Sequence, residues 1–267
     1  MTDLTAAAPS PDARDIRARL AEVVETVRSA SSAAHGDPDA ARVMLATKTQ
    51  PAARIRAAIE AGARLIGENR VQELQEKAPE LADLDHEAHL IGPLQRNKVN
   101  HTLRAGARCV QSIDTTAVAQ KLSDRIATLT DQGHDALVAE APGTLRTDAA
   151  TADHPVLDVL IQVNTSREDT KSGVAPAQAA ELVEQVRAMP HLRIRGLMTI
   201  GLPGETDDAI RPSYAELRGL SQRLREDGTL PADATELSMG MSADYALAIE
   251  EGATLVRVGS TVFGARE

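Results

Sequence analysis

Lys48 closes an apolar run, Val43-Met44-Leu45-Ala46-Thr47-Lys48-Thr49, and Gln50-Pro51 and a helical pattern follow at once. A strand of that composition is normally buried, and a buried ammonium is costly unless it is paired, deprotonated or used covalently. The chain has five lysines, at 48, 77, 98, 121 and 171, against 24 arginines. Where positive charge alone is needed this sequence uses Arg, which cannot form a Schiff base. Amine chemistry on a carbonyl is therefore one reading of Lys48; a side chain snorkelling from a strand end to solvent is the other. A second misfit is Arg257, which interrupts the apolar strand Leu255-Val256-Arg257-Val258-Gly259 and needs an acceptor there.

Short apolar runs at 43–47, 64–67, 89–92, 109–113, 156–163, 194–200, 235–239 and 254–258 read as strands. Helical patterns alternate with them at 52–61, 71–81, 95–105, 116–130, 176–189, 207–226 and 243–251, after an amphipathic helix at 12–30 and a Ser/Ala-rich connector. Such repeated units, connected right-handedly, predict an α/β protein that is a single (β/α)8 TIM-type barrel with an extra N-terminal helix. A dinucleotide-binding sheet would want G-x-G-x-x-G after an early strand, where this chain has Lys-Thr-Gln-Pro. Residues 1–11 read as a disordered tail and 12–267 as one domain. Residues 131–155, long and nearly without large apolar side chains, read as a flexible insertion.

Composition narrows the partners. A net charge of −10 disfavours nucleic acid and anionic membrane, and three aromatic residues (Tyr214, Tyr245, Phe263) offer no stacking platform. No apolar run approaches the roughly 20 residues of a membrane span. The N-terminus lacks the basic start and apolar stretch of a signal peptide, so the expected location is cytoplasmic. Cys109 is alone, and His86-Glu87-Ala88-His89 sits at a strand entrance without a third ligand, so no metal is expected. With no dimerising domain or heptad repeat, a monomer is expected.

In a barrel of this kind the working face is the C-terminal end of the strands. Those ends carry Lys48, Asn69, Gly92-Pro93, Asp114, Asn164, Thr199, the Ser238–Ser242 stretch and Gly259-Ser260. Turn formers alone explain the Gly and Pro, and Asp114 and Asn164 as well. Barrels often bind phosphate between the loops after strands seven and eight, where this chain has Gly240, Ser242, Gly259 and Ser260. With an amine at the end of strand one, the set suits a phosphorylated aldehyde. Pyridoxal 5′-phosphate (PLP) meets that description, with Arg257 placed for its pyridine nitrogen.

The segments Thr47-Lys48-Thr49, Gly67-Glu68-Asn69, His89-Leu90-Ile91-Gly92-Pro93-Leu94-Gln95, Lys171-Ser172-Gly173, Arg195-Gly196-Leu197-Met198, Leu237-Ser238-Met239-Gly240-Met241-Ser242 and Val256-Arg257-Val258-Gly259 carry a family resemblance. Together with Phe263-Gly264-Ala265-Arg266 they resemble the pyridoxal phosphate homeostasis protein family, related to the alanine racemase N-terminal barrel. The resemblance implies a cofactor held as an imine on Lys48, Arg257 facing the pyridine nitrogen, and Ser242, Gly259 and Ser260 on the phosphate. It places Asn69 and Met198 near the ring. Where family members often have aromatics, this chain has Arg70, Ala88 and Leu90.

The function so implied is a non-catalytic carrier in vitamin B6 homeostasis, storing, buffering or delivering PLP, with apo-forms of PLP enzymes as recipients. An amino-acid racemase of weak activity and a Schiff-base aldolase are the alternatives. An Arg on the ring nitrogen makes a weak electron sink, which counts against the racemase. Tyr214 reads as structural, and Tyr245 as a side chain able to approach the site.

Overall fold

Parallel strands covered on both faces read as near-continuous apolar runs. In the computed structural model eight such runs close into a parallel barrel in chain order. The structure describes residues 10–133, 135–136, 140–141, 143–145, 155–166, 168, 171–202 and 206–264. The strands are β1 Arg42–Ala46, β2 Leu65–Glu68, β3 Glu87–Leu90, β4 Cys109–Ile113, β5 Leu157–Gln162, β6 Leu192–Met198, β7 Glu236–Met241 and β8 Leu255–Val258. Closure is made by β8 on β1, with Met44 opposite Arg257. This is a (β/α)8 TIM-type barrel, and every strand falls within two residues of its expected limits.

The helices are α1 Pro11–His35, α2 Ala52–Glu60, α3 Val71–Leu81, α4 Val99–Arg104, α5 Thr116–Asp131, α6 Ala179–Arg187, α7 Asp207–Glu226, α8 Tyr245–Glu250 and α9 Ser260–Phe263. The expected helix at 95–105 resolves into a 3-10 turn, Arg96–Lys98, and α4; that at 176–189 into a turn, Pro176–Gln178, and α6. The helix expected at 243–251 is shorter, as α8.

Helix α1 runs past the expected end at residue 30 because its Ser/Ala tail keeps helical partners. Ser31 is buried, His35 Nε2 donates to the Ile249 carbonyl (2.8 Å), and the chain turns only at Gly36, whose N–H reaches Ser32 O (2.9 Å). At its start Ser10 Oγ accepts from the Ala13 amide and Pro11 occupies the first turn. The helix packs on α2, α8 and α9, outside the wall where β8 meets β1.

A large apolar cluster fills the space between the sheet and the helices. Small separate clusters, Met44/Leu65/Leu255 and Cys109/Leu160/Met198, are made by strand side chains. Polar residues share the strands with them: His89, Gln111, Ser238 and Arg257 are all at most 5% exposed.

Of the segment 131–155, Ala141 and Thr144 are buried, Thr144 Oγ1 donates to Leu103 O (3.0 Å), and Glu140 pairs with Arg104 and Arg125. These residues pack on the α4 and α5 flank. Residues 134, 137–139, 142 and 146–154 lie outside the described residues, as do 1–9 of the expected tail. Among the described residues no helix is long and apolar enough to cross a membrane.

Candidate functional site

At the C-terminal ends of the strands one pocket of about 360 Å³ is lined by all seven expected residues: Lys48, Asn69, Met198, Ser242, Arg257, Gly259 and Ser260. Ile91, Ile200 and Met241 supply apolar wall. Lys48 lies two residues beyond β1 and is exposed, so its ammonium is at the rim and not inside the strand. The burial cost that first marks it in the sequence is therefore not incurred; what singles it out is the pocket beneath it. Met198 ends β6 and is 1% exposed. Asn69 follows β2 directly. A Cβ on Gly92 would lie 2.1 Å from the Asn69 carbonyl oxygen, so the β3 loop can pass this close to Asn69 only as glycine.

Arg257 is buried within β8. Its Nη1 donates to Ser238 Oγ and its Nη2 to Thr199 O, both at 2.7 Å, so the acceptors that the sequence demanded come from β7 and from the residue that follows β6. Burial pulls the guanidinium down to about 10, with Tyr214 and Asp244 acting the other way, and it stays charged at neutral pH. Burial pushes the Tyr214 phenol up, with Asp244 adding to it. Tyr214 therefore donates as a neutral hydroxyl to Asp244 Oδ2 (3.0 Å), while Asp244 Oδ1 accepts from the Met241 amide (2.6 Å). That pair fixes the loop carrying Ser242.

Ser242 Oγ accepts from the Gly259 amide at 3.0 Å, joining the seventh and eighth loops. A Cβ on Gly259 would stand 2.9 Å from the Ala46 carbonyl oxygen, where β8 meets β1. The Ser260 and Thr261 amides open α9 with no partner among the described residues, as helix starts do. Free N–H groups and hydroxyls thus gather at one end of the pocket, and the amine at the β1 side.

The backbone under Lys48 is held from outside the barrel. Lys77 on α3 donates to Thr47 O (2.9 Å), Glu68 Oε1 (2.7 Å) and Glu73 Oε2 (3.1 Å). Thr47 Oγ1 donates to Glu68 Oε1 (2.6 Å), and the Thr49 amide to Glu73 Oε2 (2.7 Å). Thr49 has φ of 64°, unusual for a β-branched residue, and this cluster holds it there. Burial pushes the Glu68 carboxyl up, against Lys77 and Thr47. For Glu73, burial also works upward, but the Thr49 amide and Lys77 outweigh it and leave the group below its ordinary value.

Other residues raised by the sequence are elsewhere. Asn164 Nδ2 donates to the carbonyls of Glu168 and Lys171, a loop-closing role, and Lys171 sits 3.9 Å from Glu168. Burial pushes the Asp114 carboxyl up, and neither it nor Tyr245, packed on the apolar cluster, lines the pocket. Ala265 and Arg266 lie outside the described residues. Sequence reasoning missed Glu68, Glu73 and Lys77, and also Gln111 and His89 below Arg257. The available signals were one of only five lysines at i+4 from Glu73, and a lone amide in an apolar strand. A wider cleft, about 840 Å³, opens between α1 and the start of β1 and β2, but among the described residues no lysine lines it.

The match to known proteins agrees with this geometry. Residues 19–267 match the model of the alanine racemase N-terminal domain family. The alanine racemase of Corynebacterium glutamicum shares the fold at a TM-score of 0.63 and 14% identity, covering 93% of this chain and 61% of that one. The class is thus an alanine racemase N-terminal-type barrel. The chain is 39% identical over 252 residues to the pyridoxal phosphate homeostasis protein of Pseudomonas aeruginosa, covering 94% of this chain and 96% of the relative. PipY of Synechococcus elongatus, solved with PLP bound, matches at a TM-score of 0.73 and 32% identity over 93% of this chain and 100% of that one. The chain belongs to the pyridoxal phosphate homeostasis protein family.

Proposed function

We propose that this protein holds pyridoxal 5′-phosphate on Lys48 and serves intracellular vitamin B6 homeostasis by storing, buffering or delivering it. The observation that carries the reading is the convergence of an exposed amine, a buried guanidinium and two hydroxyl- and amide-bearing loops on one pocket. When bound, the cofactor would supply an aldehyde and an electron-withdrawing ring. Lys48 would be the amine that takes up the aldehyde. The Ser242 and Ser260 hydroxyls and the Ser260 amide would take the phosphate with neutral donors, Gly259 would hold Ser242 in place through its amide and leave room for the phosphate, and Asn69 and Met198 would flank the ring. Arg257, anchored on both Nη atoms and charged at neutral pH, would be the residue toward the ring nitrogen and would disfavour a proton there.

That arrangement suits keeping a cofactor more than using it. Among the described residues lining the pocket, Lys48 and Arg257 alone are ionisable, so no second acid or base stands ready for two-base racemisation. No robust catalytic activity is therefore proposed. In the same reading the protein works as a cytoplasmic monomer whose macromolecular partners are apo-forms of PLP enzymes.

The test is a visible absorption spectrum of purified protein incubated with PLP, before and after borohydride reduction, with peptide mapping of the adduct. An imine band trapped on Lys48 is expected, and Lys48→Ala should abolish the adduct while leaving weaker, phosphate-anchored binding. An adduct that persists in that variant would move the attachment elsewhere, Lys171 being the first candidate. Absence of any band in the wild type would favour the aldolase reading. Failure of holoprotein to pass PLP to an apo-enzyme would count against delivery.

A further inference from the structure

Arg257 is the first member of a chain of hydrogen bonds that crosses the barrel away from the pocket. A guanidinium only donates, so Ser238 Oγ accepts from Arg257 Nη1, and the single Ser238 proton is left for Gln111 Oε1 at 2.7 Å. That settles the orientation of the Gln111 amide, normally ambiguous: its oxygen faces Ser238 and its NH2 faces His89. Gln111 Nε2 lies 2.9 Å from His89 Nδ1 and 3.8 Å from Met44 Sδ. His89 Nδ1 must then be a bare acceptor, with the ring proton on Nε2, which points toward Glu87 Oε2 at 3.7 Å. Four strands, β8, β7, β4 and β3, each contribute one member.

We propose that Gln111 and His89, neither of which lines the pocket, are positioning residues for Arg257, and that they act by locking the direction of this hydrogen-bond chain. Each link depends on the next. If Gln111 turned its NH2 toward Ser238, that hydroxyl would face two donors and its own proton would lose its acceptor. The Nε2–H form of His89, at the opposite mouth of the barrel, is thus the condition under which Ser238 holds the guanidinium as seen. A buried chain satisfied in only one direction also specifies a single arrangement. The inference rests on the proposed cofactor site only in what Arg257 faces.

The histidine can be read without cofactor. NMR of isotope-labelled imidazole nitrogens in the apoprotein should find His89 protonated on Nε2 and bare on Nδ1. The reverse tautomer would overturn the proposal whether or not PLP binds. In cofactor-loaded protein, Gln111→Leu should leave the borohydride-trapped Lys48 adduct in place, shift the visible band and weaken PLP affinity by about tenfold, as expected for losing support of a charged donor. Gln111→Glu keeps an acceptor for Ser238 but offers His89 a carboxylate in place of an NH2, so the nitrogen spectrum of this variant should show the His89 proton on Nδ1, and an unchanged spectrum would overturn the proposal. If Gln111→Leu fails to fold, Ser238→Ala, which removes one hydroxyl, takes its place with the same expected shift. A folded variant whose band and affinity match wild type would overturn the proposal. If even wild type takes up no PLP, the cofactor reading falls and the histidine tautomer alone decides for or against the chain.

Discussion

The two sides of the pocket are held in opposite ways. Under Lys48 the support is a cluster of charges, Lys77 with Glu68 and Glu73, wedged between β2 and α3 outside the barrel. Under Arg257 the support is neutral, Ser238, Gln111 and the Thr199 carbonyl, inside it. An amine proposed to attach the cofactor needs a rigid backbone and a free side chain, and charged groups gripping Thr47 O and the Thr49 amide supply the first without touching the second. The guanidinium needs the reverse: a fixed side chain whose charge is not cancelled. Neutral acceptors fix it and leave its charge to the pocket.

Breaking the charged side should have the larger effect on stability. Glu68 is 1% exposed and its Oε2 has no hydrogen-bond partner among the described residues. Lys77→Met would leave that carboxylate buried without its counter-charge, for which a loss of about 3–5 kcal/mol is typical. Urea denaturation should show it, and Glu68→Gln added to Lys77→Met should recover part of the loss. If Lys77→Met unfolds like wild type, the cluster is not what holds the Lys48 loop.

A smaller effect is expected from testing the loops that join the two sides. Ser260→Asp sets a carboxylate where phosphate is proposed to sit, and like-charge repulsion across a partly exposed site should weaken PLP binding by about tenfold or more. Titration by absorbance measures it. Wild-type affinity in this variant would mean that the phosphate lies elsewhere, while the Lys48 and Arg257 arguments would stand.

What the sequence made legible follows the same division. Lys48 and Arg257 stood out because ionisable groups in apolar strands break the burial rule, and the Ser/Gly loops because barrel topology says where phosphate-binding loops fall. The alternation of runs and amphipathic patterns was enough for the barrel itself. The signals at His89 and Gln111 were faint for a physical reason: a polar residue facing a barrel lumen looks like ordinary period-two alternation. Its meaning is set by the register of β3, β4, β7 and β8, which only closure provides. Lys77 and Glu73, four apart on a helix, read as a surface pair, and only packing against β2 buries Lys77 and half-buries Glu73. The end of α1 was misread because Ser-Ser-Ala-Ala resembles a connector until the fold buries Ser31 and gives His35 a partner.

The smallest effect, and the sharpest probe of the charged side, concerns pH. Glu73 has a folded-state value below its ordinary one, so its ionised form is the one the fold favours. Its stabilisation is therefore complete above the unfolded-chain value, near 4 for a carboxyl as an approximate reference, and is lost as pH falls through the lowered folded value. Glu73→Gln keeps an acceptor for the Thr49 amide but removes the charge facing Lys77, at a cost of about 1 kcal/mol near neutral pH. The gap between wild type and variant should shrink toward zero on acidification. Glu68, pushed up by burial, has the opposite slope: its ionisation costs stability as pH rises through its raised value, so it cannot mimic the Glu73 signature. A gap between wild type and Glu73→Gln that stays constant from neutral to acid would mean that Glu73 acts through shape and hydrogen bonding alone. The charged side of the pocket would then be a single Glu68–Lys77 pair.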